Sequence, residues 1–491
     1  MIKSVKNKWI KIYFTIVFFY FFIIRFLVIP SGDDFFWGGK PGKYLLQHGF
    51  YGPQSIYGGS SNGRYIGNIL EIFTVHHLIP AMLMFGFFWT LLIWSMWNLS
   101  GRTKLNLILS SLFVFTLQSG YLSTIFSWNA GFINYVPPVS LILLYLVLVK
   151  KSWQNQLPQN KYLLSGIAFL ISLIGGLFVE HLTIYQIFIG IMVMIIGQLI
   201  FKKPNKLFNT SYLLGAVTSA IIMFSHPAYH ESSVYRNINF NLSALINNFV
   251  NISHFWFNTL NVVVNIVICL AIIAISFKKI ENVTRRKYLN ITAGFFALYY
   301  LIMDLWLNTQ NHDQFFVYPQ LRHLSITSID SLITIFFWIF LIYVMTVLFD
   351  FSKDYLIYFS IFTYFALISP FLLIISPISV REFFTAYLFL YLAMILFVQK
   401  ALSLYSSKLR LNIKIITAII LLISAINVQT KMTINYQANL NRVQEESFLS
   451  GKSSLRSHVP YRKYVSSNDA LLQQSGSYWK KYLKKNWLER L

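Results

Sequence analysis

Charge is scarce in this chain. Of its 491 residues 11% are Asp, Glu, Lys or Arg, against 56% hydrophobic and 18% aromatic. An ordinary soluble domain carries about a quarter charged residues, so that class is excluded. Cysteine is almost missing: Cys269 is the single one and lies within an apolar run, which removes intramolecular disulfides and thiolate metal clusters from consideration. Acids are fewer than bases, 16 against 40, and leave a net charge of +24. In a soluble protein that excess would point to nucleic acid; here it must first be placed relative to a membrane. No small-residue cleavage site follows the first apolar run, where Trp9 leads into further aromatics, so the run reads as an anchor and not as a removed signal peptide.

What fills the chain is a series of apolar runs of helix-spanning length. They cover 9–29, 79–97, 105–120, 136–149, 162–179, 182–201, 208–224, 258–277, 288–307, 331–349, 355–375, 384–400 and 411–428. The expected fold is therefore an all-α polytopic membrane protein of about 13 transmembrane helices. Residues 1–428 form its membrane module, and 429–491 form a basic, polar C-terminal tail that should lie outside the cytoplasm. Lys3, Lys6, Lys8 and Lys11 put the N-terminus inside, and counting from there collects Arg102, Lys104, Lys150, Lys151, Lys161, Lys202, Lys203, Lys206, Lys278, Lys353 and Lys400 on that same side. The positive-inside rule is met at every inner loop. Most of the basic excess is thus topological and implies no nucleic-acid partner, and the expected location is the cell membrane. Arg25, about a turn before the end of the first run, is expected to snorkel to the outer boundary.

The acids and imidazoles fall mostly on the outer face, so that is where chemistry is expected. Foremost is Ser31 to Trp37, SGDDFFW, directly after the first span. Adjacent carboxylates at a bilayer boundary lose hydration and repel each other. Asp33 and Asp34 read either as an active-site acid or base, or as the solvated first turn of a loop helix capped at Gly32-Asp33. The first outer loop, 30–78, ends in RYIGNILEIFTV, whose apolar stripe fits an amphipathic helix in the interface. Arg64, at its start, reaches either a phosphate, one of the aspartates or a lipid headgroup.

Lesser candidates follow along the chain. In QSGYLSTIFSWNAGFINYVPP, Trp128, Asn129, Asn134 and Tyr135 offer stacking faces and amides suited to a sugar, or an ordinary interfacial belt. Pro137-Pro138 marks the start of the next helix. Glu180-His181 interrupts an apolar stretch whose two ends both carry lysines, so the pair should sit at the tip of a tight hairpin, as a functional site or a structural salt bridge. The stretch LSALINNFVNISHFWF reads as a second interface helix, while His226 and His230-Glu231 lack a third metal ligand. Arg322-His323 and Arg381, in SPISVREFF, are outer cations that either pair with carboxylates or bind a lipid-linked phosphate. The aromatic-basic YWKKYLKKNWL in the tail would rest on anionic headgroups or a polyanion.

SGDDFFW with NGRYIGN, then WNAGFINYVPP, FVEHLT and PISVREFF in that order, resembles the GT-C superfamily of integral-membrane glycosyltransferases, and in particular a poorly characterised bacterial branch. The resemblance spans most of the chain in layout through short motifs. It implies a sugar donor carried on polyprenyl phosphate and an acceptor glycan, lipid or protein of the cell envelope. It also implies a first-loop acid as catalytic base or, in some members, metal ligand. That role maps to Asp33 or Asp34, and the phosphate contacts map to Arg64, Arg322 or Arg381. A polyprenyl phosphate leaving group needs a base and cations but no nucleotide site, and an inverting transfer needs one carboxylate. No cofactor is called for, although the aspartate pair leaves a divalent cation open. The rivals are a polymerase or ligase for lipid-linked polysaccharide, which has no special need of acids after span one, and a flippase, which should show broken helices and mid-membrane charge.

Overall fold

The computed structural model describes residues 2–156, 160–202, 205–233, 238, 240–310, 324–373, 379–442 and 460–465. Among them are no β-strands and 11 helices long and apolar enough to cross a membrane, or 12 with a bent pair counted as one span. The chain is an all-α polytopic membrane protein. It divides into two units, one of Met1–Leu99, Tyr121–Tyr235 and Ile426–Leu491, the other of Ser100–Gly120 and Arg236–Ala425.

The first unit contains α1 (Ile2–Leu27), α2 (Asp33–Trp37), α3 (Tyr65–His76), α4 (Leu78–Leu99), α5 (Asn129–Trp153), α6 (Lys161–Gly175), α7 (Glu180–Leu199) and α8 (Lys206–Phe224). Its two ends differ chemically. At one end Trp128 Nε1 donates to Ser31 O at 2.9 Å, the Ile66 N–H donates to Leu177 O at 3.1 Å, and the Phe26 and Tyr436 rings lie 5.3 Å apart. At the other, Lys150 Nζ donates to the carbonyls of Asn98 and Leu99 at 3.0 and 2.7 Å and so closes the C-termini of α4 and α5 together. Lysine suits that position, because helix C-termini expose carbonyls and carry partial negative charge. Between the ends Phe21, Phe85, Trp89, Phe126 and Phe132 pack as a buried aromatic cluster. In lipid, such packing and close backbone approach hold helices together, because tails are as apolar as the side chains.

Close approach is built most plainly where α6 meets α8. Ser172 and Gly176 face Gly215 and Ser219, small residues four apart on both strips. A Cβ on Gly215 would collide with Ser172 Oγ and the Phe169 carbonyl, and one on Gly176 with Ser219 Oγ. The 15-residue α6 is thereby gripped along its C-terminal half.

Several boundaries differ from expectation. The 105–120 run is not one helix: Lys104–Thr116 and Ser119–Phe126 meet at 78°, with Leu117 in extended conformation before the polar Gln118-Ser119 and a π-helical turn at Leu122–Phe126. The run expected at 136 begins at Asn129, so Pro137-Pro138 stand inside α5 and not at its start. Arg25 does not snorkel. Its side chain is buried, donating from Nη2 to Asn129 Oδ1 at 3.0 Å and from Nη1 to Val28 O at 3.3 Å, because these buried oxygens satisfy its donors within the protein.

In the second unit the stretch expected as a separate interface helix is continuous with the following span. The run Leu242–Lys279 passes through a π turn at Phe249–Ser253 and a 3-10 turn at Thr259–Asn261. It is followed by α9 (Val283–Gln310), α10 (Leu324–Leu348), α11 (Tyr355–Ile368) and α12 (Phe384–Ser403). The long α13 (Ser407–Arg442) runs unbroken past residue 428, and the division between the units falls within it.

Candidate functional site

Pro30 and Gly32 turn the chain at the end of α1, with Gly32 at φ 56°, a left-handed conformation that a side chain resists. The turn splits the aspartate pair. Asp33 is exposed on the first turn of α2, whereas Asp34 is fully buried. Asp34 Oδ2 accepts the Ser31 N–H at 3.1 Å, and Oδ1 accepts the Ala130 N–H at 3.0 Å. Asp34 thus closes its own turn and caps α5, a helix that begins far along the chain. Burial pushes its carboxyl up to about 7, against the pull of the Ser31 N–H, the Arg25 charge and the Ala130 N–H, with the Asp33 charge pushing the same way as burial.

Next to it lies a residue that the sequence did not single out as a site. α3 turns Asn68, Glu71 and Thr74 inward and leaves Ile69 and Phe73 exposed. Glu71 is 1% exposed. Its Oε2 accepts from Asn134 Nδ2 at 3.4 Å, and its Oε1 is buried with no hydrogen-bond partner among the described residues. Burial, then the charges of Asp34 and Asp33, raise its carboxyl well above the ordinary range, more than Arg64 and Asn134 offset. Burial thus favours the neutral form of Glu71. The signal in the sequence is a polar residue at every third position of NILEIFT.

Arg64 and Glu180, candidates on different segments, meet. Arg64 Nε lies 3.1 and 3.0 Å from the two Glu180 oxygens, and Nη2 lies 2.7 Å from Oε2. Tyr229 OH donates to Glu180 Oε1 at 2.7 Å and accepts the Gly63 N–H at 3.3 Å. Burial alone would lower the Arg64 pKa, but Glu180, with Tyr229 and Tyr135, holds it above the ordinary value. The two side chains are 29% and 21% exposed, and Arg64 Nη1 takes no hydrogen bond among the described residues, so one edge of the guanidinium remains available. The tight hairpin is present: residues 176–179 join α6 to α7, and Thr183 Oγ1 donates to Gly176 O at 2.6 Å. His181, beside Glu180, lies 6.0 Å from the Tyr135 ring.

Asn129 and Asn134 are not displayed to solvent as sugar-facing amides. Both lie buried in the first turns of α5. Asn129 accepts from Arg25 and donates to Thr74 Oγ1 at 3.1 Å, while Asn134 Nδ2 bonds Glu71 and the Ala130 carbonyl at 2.9 Å. They brace the acids from behind. Arg381 belongs to the second unit, its Nε 3.2 Å from Glu382 Oε1, and Glu382 also closes a capping box with Ser379. Arg322 and His323 lie outside the described residues, as does the YWKKYLKKNWL segment. Among the described residues no three His, Cys, Asp or Glu side chains converge as metal ligands. The chain matches no protein-family model, no curated protein sequence and no solved structure.

Proposed function

We propose that this membrane protein is a glycosyltransferase of GT-C type that moves a sugar from a polyprenyl-phosphate carrier to an acceptor on the extracytoplasmic face. The observation that carries the reading is the division of the aspartate pair. An exposed carboxylate, Asp33, stands on a turn fixed by its buried neighbour, at the end of a membrane helix, where the headgroup of a lipid-borne donor would lie. Asp33 is the base: it takes the proton of the acceptor hydroxyl as that oxygen bonds the anomeric carbon. The carbon–oxygen bond to phosphate breaks on the opposite face, and polyprenyl phosphate leaves, with inversion. The open edge of Arg64 suits the departing phosphate. Asp34 and Glu71 position the turn.

This topology counts thirteen crossings: the 11 long helices, the bent pair and the short α6. The experiment is transfer from a polyprenyl-phosphate sugar by purified protein in lipid vesicles, alongside a comparison of surface glycans with and without the gene product. Loss of transfer in Asp33→Asn at normal protein level supports the reading. Unchanged transfer in Asp33→Asn overturns Asp33 as the base, whereas no transfer by the wild type, or movement of intact lipid-linked sugar across vesicles without transfer, overturns the transferase reading in favour of a polymerase, ligase or flippase.

A further inference from the structure

The second unit holds a buried polar network that the proposed transfer does not use. It lies within helices apolar enough to cross a membrane: His254, Asn258 and Thr259 on the Leu242–Lys279 run, Tyr299 and Tyr300 on α9, Asp330 and Thr334 on α10. The side chains of His254 and Asp330 are both 0% exposed, with Nε2 at 3.0 Å from Oδ2. Thr259 Oγ1 also donates to Oδ2, at 2.7 Å, and Tyr299 OH donates to Oδ1 at 2.6 Å. Asn258 Nδ2 donates to Tyr300 OH and Thr334 Oγ1 at 2.7 and 2.9 Å, which ties the same three helices.

The hydrogen count on the imidazole follows from its partners. Nδ1 lies 2.7 Å from Phe249 O, the carbonyl at the start of the π turn, which also takes the His254 backbone N–H. A carbonyl only accepts, so Nδ1 carries a hydrogen. Nε2 then faces a carboxylate oxygen at hydrogen-bond distance. With no hydrogen on that contact two lone pairs would oppose each other in a site sealed from water, which a buried polar pair does not tolerate. One proton must therefore lie between them, on the nitrogen or on the oxygen.

We propose that His254 and Asp330 form a membrane-embedded proton-binding site, a net-neutral pair that holds one proton on the Nε2–Oδ2 contact. A neutral pair is what a low-dielectric interior accepts, since either partner charged alone would be costly there. Among the described residues the titratable groups facing it include the Tyr299 and Tyr300 phenols, and Thr259 adds a neutral hydroxyl donor. The π turn supports the assignment, since such turns re-aim a side chain and the Phe249 carbonyl to meet at one ring nitrogen. The ligand is a proton and the site is independent of Asp33, so failure of either proposal leaves the other standing.

The test uses the full-length protein in lipid nanodiscs at about pH 8, where exposed histidines have lost their second proton. Nitrogen NMR of labelled histidine and the infrared carboxyl region are read together, with Asp330→Asn and His254→Gln assigning the signals. If either variant fails to fold, the other supplies the assignment. The expected result is a wild-type signal for one proton at this pair, either a doubly protonated His254 ring or a protonated Asp330 carboxyl, lost in both variants. A singly protonated His254 beside an ionised Asp330 overturns the proposal.

Discussion

Asp33 and Asp34 share chemistry and backbone position, yet one carboxylate is exposed while the other accepts two main-chain N–H groups in full burial, so the same substitution should fail in two ways. Asp33→Asn removes the proposed base, and transfer is expected to fall by about 10²–10⁴-fold at normal protein level. Asp34→Asn replaces one acceptor oxygen with a donor that repels an N–H, and a loss of about 1–3 kcal/mol is expected, read as a lower unfolding temperature in detergent. Asp34 also carries a pH signature. Its carboxyl moves from an ordinary 3.8 in the unfolded chain to about 7 when folded, so folding favours the protonated form. That contribution is complete below about pH 4 and is lost as the pH rises through about 7, with Glu71 acting in the same direction. Thermal melts across that window should show stability falling with pH in the wild type and a flatter profile in Asp34→Asn. Arg64 and Glu180 allow a further separation, because their fork is structural whatever else Arg64 does. The exchange Arg64→Glu with Glu180→Arg should recover much of the stability that Glu180→Gln loses, yet leave transfer abolished, since the cation no longer stands at the start of α3. Recovered transfer in the exchange would reduce the pair to a strut.

The α6–α8 contact offers a prediction about helices. Gly215→Ala puts a methyl against Ser172 Oγ, which can rotate, and against the Phe169 carbonyl, which cannot. The helices must part, at a cost of about 1–3 kcal/mol. A double variant that adds Ser172→Ala should recover only the hydroxyl's share, and unfolding temperatures of the two variants check the point. This contact marks where sequence reading ran short. Apolar runs reveal membrane helices because a span needs a fixed length of hydrocarbon-compatible residues, and that length is local information. The start of α5 is not local. Its cap comes from Asp34, 96 residues earlier, so Asn129 and Asn134 read as loop and Pro137-Pro138 as a beginning. Glu71 was missed for a related reason: its helix is amphipathic, but within the fold the polar side faces the acids and the apolar side is exposed, the reverse of a water-bathed surface helix. Arg64 and Glu180 were legible as residues wanting partners, although their mutual pairing required the hairpin and the first loop to be brought together.

The contacts inside the first unit constrain how often the chain crosses. Lys150 binds the carbonyls of Asn98 and Leu99 at one end, while Trp128 binds Ser31 at the other. The proposed topology takes the chain between Leu99 and Tyr121 from the first end to the second and so counts the bent pair as a crossing. The same reasoning applies to α6, because Leu177 O receives the Ile66 and Gly67 N–H groups beside Arg64. At the far end of α13, Met432 Sδ lies 3.8 Å from Ser127 Oγ, and Tyr436 packs on Phe26, so the chain emerges at the aspartate end, opposite the N-terminus of α1. The proposed topology therefore has an odd number of crossings, and with the lysines at the cytoplasmic end it expects the aspartates and the end of α13 on the outer face. Cys269 is the single cysteine and buried, so a Cys269→Ala background makes a clean reporter. Lys40→Cys should react with a membrane-impermeant maleimide in intact cells, Lys104→Cys only after permeabilisation, and a C-terminal tag should be shaved by external protease. A tag protected in the same cells in which Lys40→Cys reacts would require an even count. The tail would then lie across the bilayer from the aspartates, in conflict with the Phe26–Tyr436 contact.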